Sequence, residues 1–230
     1  MLDRLFPLEY RRRRLARRTA PGPLQNYLST PFPDPGRDCR EVEYLALDLE
    51  TTGLEPQTDA IVSVGMVTMY GTRIDLATAE HRVVRVERPM SERSVVVHRL
   101  TDDRVAAGEP LHQALADVLT RLAGRVLLVH YAPVETEFLR RACAKVFHGD
   151  FTARVVDTQQ LARRWLERRN QPYRATDLRL FNLRTRYNLP RYVAHNALSD
   201  ALACAELFAA QIAERESGRA MPLKDFLVRI

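Results

Sequence analysis

A short apolar run that ends in two acids constrains the fold of this chain more than any other stretch. Residues 44–47 are all apolar, which is typical of the start of a buried strand. Asp48 and Glu50 follow, and because side chains alternate along a strand, both carboxylates point to one side while Leu47 and Leu49 point to the other. Neighbouring buried acids repel each other and lose hydration. The pattern therefore predicts a divalent-cation site, in preference to a surface strand with two solvated acids.

Composition is typical of a globular protein, with 46% hydrophobic and 28% charged residues in a chain of 230. No apolar run approaches the roughly 18 residues that a membrane span requires. The basic N-terminus has no apolar segment behind it, as a signal peptide would. Cys39, Cys143 and Cys204 lack metal-ligand spacing, which favours reduced thiols in a cytoplasmic protein.

The first 40 residues are predicted to be an Arg-rich and Pro-rich extension ahead of a domain at 41–216, with a short tail at 217–230. The extension holds nine arginines against four acids, so most of the chain's net charge of +6 lies there. Its arginine run at 11–14, with apolar residues interspersed, indicates a basic amphipathic helix. Phosphate binding, docking on a membrane surface or a partner, and simple solvation all remain open. Five prolines between residues 21 and 38 predict an extended connector.

The order of predicted elements indicates an α/β domain. Strands are expected from residue 44, at Ile61–Tyr70 and near 80–86, and the lack of a helix between them favours an antiparallel meander. The elements that follow are a helix at 110–123, a strand at Val126–Val129, a helix at 132–146, a strand at 155–156, and helices near 158–169, 177–187 and 197–216. Strands together, followed by alternation of strands and helices, predict a mixed sheet.

The later acids and histidines fall near the ends of predicted strands. Glu135 follows the fourth strand and would face back toward the strand ends, whereas Glu137, about 200° further around the helix, would point away. Asp157 closes the fifth strand and is interpreted as the cap of the next helix. His195 lies five residues before Asp200 at the start of the last helix, a spacing that can place both at one site.

Three motifs in this order carry a resemblance to a known family: DLETTGL at 48–54, HYAPVETEFL at 130–139 and HNALSDA at 195–201. They resemble the DnaQ-like 3′–5′ exonucleases of the DEDDh type, a family that includes the proofreading epsilon subunit of bacterial DNA polymerase III. The segments at 97–103 and 183–190 also look like family segments. The resemblance covers roughly residues 42–212. It implies a ribonuclease H-like fold, with a five-stranded mixed β-sheet flanked by α-helices, and an exonuclease domain at 41–216.

The resemblance also implies a set of site residues. The ligands of two Mg²⁺ or Mn²⁺ ions would be Asp48, Glu50, Asp200 and Glu135, with His195 as general base and Thr51, Leu54 and His130 as substrate contacts. One departure concerns the second motif, where the family usually has Asp in place of Glu135 and Asn in place of Tyr131. The extra methylene would move a metal ligand by about 1.5 Å.

The implied activity is metal-dependent 3′–5′ hydrolysis of single-stranded DNA in proofreading or repair, releasing nucleoside monophosphates. Two alternatives stay open: an RNA-trimming exonuclease, and a catalytically weakened module that binds nucleic acid or docks on a polymerase. The implied partners are 3′ ends of single-stranded DNA or RNA, and a DNA polymerase or another replication or repair protein.

A second basic stretch, at 163–191, holds nine arginines against two acids. Tyr173, Phe181 and Tyr187 lie between the arginines. Aromatic rings among basic side chains are typical of surfaces that stack the bases of a single strand. Solvated helix faces explain the pattern equally well.

Overall fold

The computed structural model describes residues 7–86, 105–192, 195–216 and 218–228, so the family-like segment at 97–103 lies outside the described residues. Its strands are β1 (Glu43–Thr51), β2 (Ile61–Tyr70), β3 (Arg73–Val83), β4 (Val126–Val129) and β5 (Val155–Asp157). They form one five-stranded sheet in the order β3-β2-β1-β4-β5. The first three strands pair antiparallel, and β4 and β5 run parallel to β1. The predicted mixed sheet is confirmed.

Helices cover both faces of the sheet. Within the described residues they are α1 (Leu8–Arg18), α2 (Pro23–Ser29), α3 (Leu111–Leu122), α4 (Ala132–Phe147), α5 (Thr158–Arg168), α6 (Leu180–Arg186) and α7 (Ala197–Arg215). The helix expected at 177–187 is shorter than predicted, because Ala175–Leu178 forms a separate 3₁₀ turn ahead of it. None of the helices in the described part of the chain is both long enough and apolar enough to cross a bilayer.

Strand β3 begins at Arg73, well before the predicted start near residue 80. Gly71 adopts φ +57°, a left-handed conformation that lets the chain reverse directly after Tyr70. β3 lies at the edge of the sheet, and most of its first half is exposed. Ile74 in that half packs at the edge of a hydrophobic core, whereas Leu76 is 64% exposed. The short alternation of polar and apolar residues at 73–76 was the available signal for the earlier start.

The sheet separates two hydrophobic cores. Leu45, Leu47 and Leu49 of β1 pack in the core formed with α2, α3 and α4. Tyr44 and Ala46 pack in the opposite core, which contains side chains of α7. Even-numbered side chains of β1 therefore face α7.

The first part of the connector predicted between residues 21 and 38 forms α2, so the prediction of extended structure was wrong there. Pro23 opens this helix, a position at which a proline loses no intrahelical hydrogen bond. Leu24, Tyr27 and Leu28 are buried in the core, and the Tyr27 hydroxyl donates to the carbonyl of Thr152 at 2.9 Å. Whether residues 1–40 form a unit separate from 41–216 stays a prediction.

The C-terminal segment pairs with the end of the N-terminal extension. Cys39 N donates to the carbonyl of Met221 at 2.8 Å, and Leu223 N donates to the carbonyl of Arg37 at 2.8 Å. Met221, Leu223 and Phe226 are buried in the core on the α7 side. The short tail therefore closes one flank of that core.

All three cysteines are buried free thiols. Burial raises the pKa of Cys39 to about 12 and the pKa of Cys143 to about 12. Both thiols stay protonated at neutral pH, which makes them poor nucleophiles and metal ligands.

Candidate metal centre at the strand ends

The structure brings together three of the predicted carboxylates. One oxygen each of Asp48, Glu50 and Asp200 lies within 4.8 Å of the others. Asp48 and Glu50 point toward α7 because they share the parity of Tyr44 and Ala46 on β1, and Asp200 lies in the first turn of α7. Glu50 and Asp200 are buried, and Asp48 is partly accessible.

A glycine that the sequence reasoning missed allows α7 to approach the sheet. Gly65 pairs with Asp48 in the β1–β2 ladder. A Cβ on Gly65 would lie 2.0 Å from the carbonyl carbon of Ala197 and 2.1 Å from the backbone nitrogen of Leu198. Only a hydrogen atom fits between β2 and the start of α7, so Gly65 brings Asp200 close to Asp48. An isolated glycine inside a strand rich in β-branched and apolar residues was the available signal.

The loop before α7 brings His195 to the cluster. Its backbone N–H donates to Asp200 Oδ2 at 3.0 Å, and its backbone has φ +64°. Asn196 caps α7 by accepting from Ser199 N at 3.1 Å. His195 is exposed, and the carboxylate that its backbone contacts is buried.

Glu135 lies in the first turn of α4, as predicted, and is buried. It is not part of the group of three carboxylates within 4.8 Å, but its charge is the strongest one acting on Asp48. Its Oε2 has no hydrogen-bond partner among the described residues. Glu137 points away, as predicted, and pairs with Arg140 at 2.6 Å. Of these two acids, Glu135 is therefore the one whose charge acts on the carboxylate group.

Asp157 holds the helix that carries Glu135. Its carboxylate accepts from the backbone nitrogens of Gln159 (2.9 Å) and Gln160 (3.1 Å), so the predicted cap of α5 is confirmed. It also accepts from the nitrogens of Tyr131 (3.2 Å) and Ala132 (3.0 Å) at the start of α4. One buried side chain thus satisfies the free N–H groups of two helix ends.

We expect Asp157→Ala to lower the free energy of unfolding by about 2–4 kcal/mol, since a lost helix cap costs about 1–2 kcal/mol and two caps are lost here. Urea denaturation measures this change. Asp177→Ala is the matched control, because Asp177 accepts from Arg174 N at 2.8 Å in an exposed 3₁₀ turn. Equal losses in the two variants would contradict the double-cap role.

Both ring nitrogens of His130, for which the resemblance implies a substrate contact, bond within the protein. Nε2 lies 3.1 Å from the carbonyl oxygen of Leu178 and Nδ1 lies 2.7 Å from Thr158 Oγ1. A carbonyl only accepts, so Nε2 carries the proton and Nδ1 accepts from the hydroxyl. Burial lowers the pKa of His130 to about 4. His130 is a neutral residue that ties β4 to α5 and the 3₁₀ turn.

Two exposed apolar side chains follow the ends of the neighbouring strands β1 and β4. Leu54 is 77% exposed and Tyr131 is 49% exposed. Tyr131 has φ +78°, an uncommon conformation for a bulky residue, and its backbone is held there by Asp157. Thr51 is buried, and its hydroxyl donates to the carbonyl of Gly53 at 2.6 Å. Leu54 is therefore accessible to a ligand, whereas the Thr51 hydroxyl is used inside the turn.

The carboxylates destabilise one another's charged forms. Burial, and then the charge of Glu50, raises the pKa of Asp200 to about 7. Burial, Glu135, Asp200 and Glu50, in that order, raise the pKa of Asp48 well above its ordinary value. Asp200 Oδ1, like Glu135 Oε2, is buried and accepts no hydrogen bond from the described residues. An all-oxygen donor set with unpaired buried oxygens fits hard divalent cations such as Mg²⁺ or Mn²⁺.

We expect the metal-free protein to lose stability as pH rises from about 5 to 8. The folded-state pKa of Asp200, about 7, exceeds its ordinary value of 3.8, so unfolding releases a proton over this range. Stability is thus highest toward pH 5 and is lost through pH 7, by about 2–3 kcal/mol from Asp200 alone. Urea denaturation in EDTA measures the effect, and Asp200→Asn should flatten the profile. A free energy of unfolding that increases from pH 5 to 8 would contradict the prediction.

Comparison with known proteins indicates an exonuclease family, as the three sequence motifs do. The sequence profile of the RNase T exonuclease family matches residues 45–208. The epsilon subunit of DNA polymerase III from Treponema pallidum is 28% identical over 172 residues, which cover 75% of this chain and 77% of that protein. A PolC-type DNA polymerase III from Thermotoga maritima is 27% identical over 168 residues. That match covers 73% of this chain and 12% of the polymerase, so the chain spans a small part of that relative.

Solved structures share the fold. Escherichia coli exonuclease I, in complex with a dA16 oligonucleotide, superposes with a TM-score of 0.68 at 15% identity, covering 76% of this chain and 42% of that one. Exonuclease X, in complex with 5′-overhanging duplex DNA, gives a TM-score of 0.58 at 20% identity, covering 80% of this chain and 98% of that one. The ribonuclease H-like fold predicted from the motifs is therefore confirmed. Because the family profile matches most of its length, this chain belongs to the RNase T exonuclease family.

Proposed function

We propose that this protein is a metal-dependent 3′–5′ exonuclease that removes nucleoside monophosphates from the 3′ end of single-stranded DNA. The observation that carries the proposal is the convergence of Asp48, Glu50 and Asp200 within 4.8 Å, with His195 hydrogen-bonded through its backbone to Asp200. Family membership and the likeness to epsilon subunits support the same reaction class.

Asp48, Glu50 and Asp200 are the residues that would hold Mg²⁺ or Mn²⁺, two ions per site, with Glu135 as a further ligand directly or through water. When bound, such ions make a water nucleophilic at neutral pH and stabilise the charge on the phosphoryl group that is attacked. The raised pKa values of Asp48 and Asp200 mean that cations compete with protons for these oxygens. The affinity for the cations should therefore decrease below about pH 7.

His195 is the proposed general base. An imidazole titrates near neutral pH and can accept the proton of the attacking water. Its ring is exposed on a loop whose backbone is held by Asp200, so it can reach a water beside the carboxylates. Cation binding would lower the basicity of Asp48, Glu50 and Asp200, which makes His195 the better proton acceptor.

We expect His195→Asn to reduce the rate of hydrolysis by about 10²–10⁴-fold, the usual contribution of a general base. Asparagine tolerates the left-handed backbone at φ +64°, so the variant removes the base with little added strain. The gain in thermal stability on adding Mn²⁺ should persist, because no metal-binding carboxylate is changed. Rates equal to those of the native protein would refute the assignment.

Single-stranded DNA is the proposed substrate because the relatives include epsilon subunits of a DNA polymerase. Leu54 and Tyr131 are exposed just after the ends of β1 and β4, and the bases of a frayed 3′ end can pack against them. Docking on a DNA polymerase belongs to the same proposal. RNA trimming remains the alternative, and the assay distinguishes the two sugars directly.

The test follows 5′-labelled DNA and RNA oligonucleotides of one sequence with Mg²⁺ or Mn²⁺, beside EDTA and Asp48→Asn controls. A ladder of products shortening from the 3′ end, absent in both controls, is expected for DNA. A 3′-terminal phosphorothioate linkage should delay the first cleavage if degradation starts at that end. Binding without cleavage under all conditions would overturn the proposal and favour a weakened binding module; Glu135→Asp would then test the altered carboxylate.

A further inference from the structure

Side chains on one face of α1 form contacts with the rest of the protein. Arg11 forms an ion pair with Asp150 at 2.9 Å. The buried guanidinium of Arg12 donates to the carbonyl of Leu28 and to Glu9, and it lies 5.7 Å from the ring centroid of Phe32. These contacts anchor α1 on α2 and on the segment that precedes β5.

The other face of α1 carries a continuous basic surface. Its residues recur every three or four positions and together line a concavity of about 410 Å³; they are Tyr10, Arg13, Arg14, Arg17 and Arg18. The side chain of Arg13 is 69% exposed and Tyr10 is 52% exposed. Within the described residues, Glu9 forms ion pairs with both Arg12 and Arg13. We call these five residues the α1 arginine face.

The α1 arginine face lies toward the opposite end of the sheet from the carboxylates. Asp48 and Glu50 stand near the C-terminal end of β1, and Glu135 is in the first turn of α4. Asp150, which pairs with Arg11, follows the far end of α4 and precedes the N-terminal end of β5. A helix of 16 residues is about 24 Å long, so this contact is far from the metal centre.

We propose that the α1 arginine face is a second nucleic-acid site, which binds backbone phosphates outside the catalytic centre. Arginine guanidinium groups match phosphate oxygens in charge and geometry, and their spacing here presents them along one line. Tyr10 adds an exposed ring on which a base can stack.

Insertion into a membrane does not fit the same face. A helix that lies in a bilayer surface needs its apolar side free for the lipid. The apolar side chains of α1, Leu8, Leu15 and Ala16, instead pack against the protein's own core. The arginine side chains of the α1 arginine face therefore have no apolar face of α1 beside them that is free to bind lipid. A long nucleic acid, held at this face, would stay near the enzyme between cleavage events.

The test uses circular single-stranded DNA, which has no 3′ end for an exonuclease site to take. In EDTA, the triple variant Arg13→Ala, Arg17→Ala, Arg18→Ala should bind the circle at least tenfold more weakly than the native protein. The plot of log binding constant against log salt concentration should become less steep by about 2, since three phosphate contacts are lost and each contributes about 0.7 on a single strand.

The matched control is Arg73→Ala, Arg141→Ala, Arg219→Ala, which removes the same charge from exposed arginines elsewhere. This control variant should retain most of the affinity for the circle, and Asp48→Asn should retain all of it. Three results would overturn the proposal. They are equal losses of affinity in the two triple variants, native protein that does not bind the circle, and native protein that binds only anionic phosphatidylserine vesicles or acidic protein. Hydrolysis of short oligonucleotides should be unchanged in the α1 variant, so failure of this site is distinguishable from failure of the proposed exonuclease activity.

Discussion

Replacing Asp48 with asparagine is expected to lower nuclease activity by about 10³-fold or more while raising the stability of the metal-free protein. The activity is lost because a ligand of the divalent ions is lost, and metal-ion catalysis contributes several kcal/mol to the barrier. Stability rises because burial, and then the carboxylates of Glu135, Asp200 and Glu50, oppose ionisation of Asp48. Removing that charge should add about 1–3 kcal/mol to the free energy of unfolding at pH 8.

Urea denaturation in EDTA and the oligonucleotide ladder measure the two effects separately. Asp75→Asn is the control for the loss of one negative charge, because Asp75 is exposed on the edge strand β3. It should change stability by less than about 0.5 kcal/mol. A metal-free Asp48→Asn protein that is less stable than the native one would show that the carboxylate is held by favourable contacts. The repulsion inferred for the cluster would then be wrong.

The second large effect is expected for Gly65→Ala. The added methyl group would overlap the backbone of Ala197 and Leu198, which has no flexible side-chain end that can move aside. Overpacking typically costs 1–3 kcal/mol, and we expect about 3 kcal/mol or more at this contact. The start of α7 must move away from β2, taking Asp200 and His195 with it, and a shift of about 1 Å in catalytic groups can cost about 10²-fold in rate.

Unfolding free energy and hydrolysis rate test this prediction together. Gly36→Ala is the matched control, because its Cβ would meet the side chain of Asp34 at 3.4 Å or more, an ordinary contact. That variant should keep native activity and stability within about 0.5 kcal/mol. Native behaviour of Gly65→Ala would mean that the close approach of α7 to β2 is not needed to assemble the site.

Several features of this protein were determined by the sequence alone because they depend on neighbouring residues in the chain. Alternation along β1 is a local rule, and it placed Asp48 and Glu50 on one face. Helical geometry separated Glu135 from Glu137, and the position of Asp157 before α5 identified a cap. The order of the three motifs was sufficient to predict the family and the mixed sheet.

Other features were decided only by the tertiary structure, because they depend on contacts between distant segments. Gly65 matters only when α7 lies on β2, and the ring of His130 bonds to the carbonyl of Leu178, which lies 48 positions later in the chain. Asp157 caps a second helix only because β4 and β5 end side by side. The prolines near α2 suggested a connector, but burial of Tyr27 against the segment before β5 favours a helix. Propensity and spacing describe one segment at a time, whereas these outcomes come from the packing of two segments.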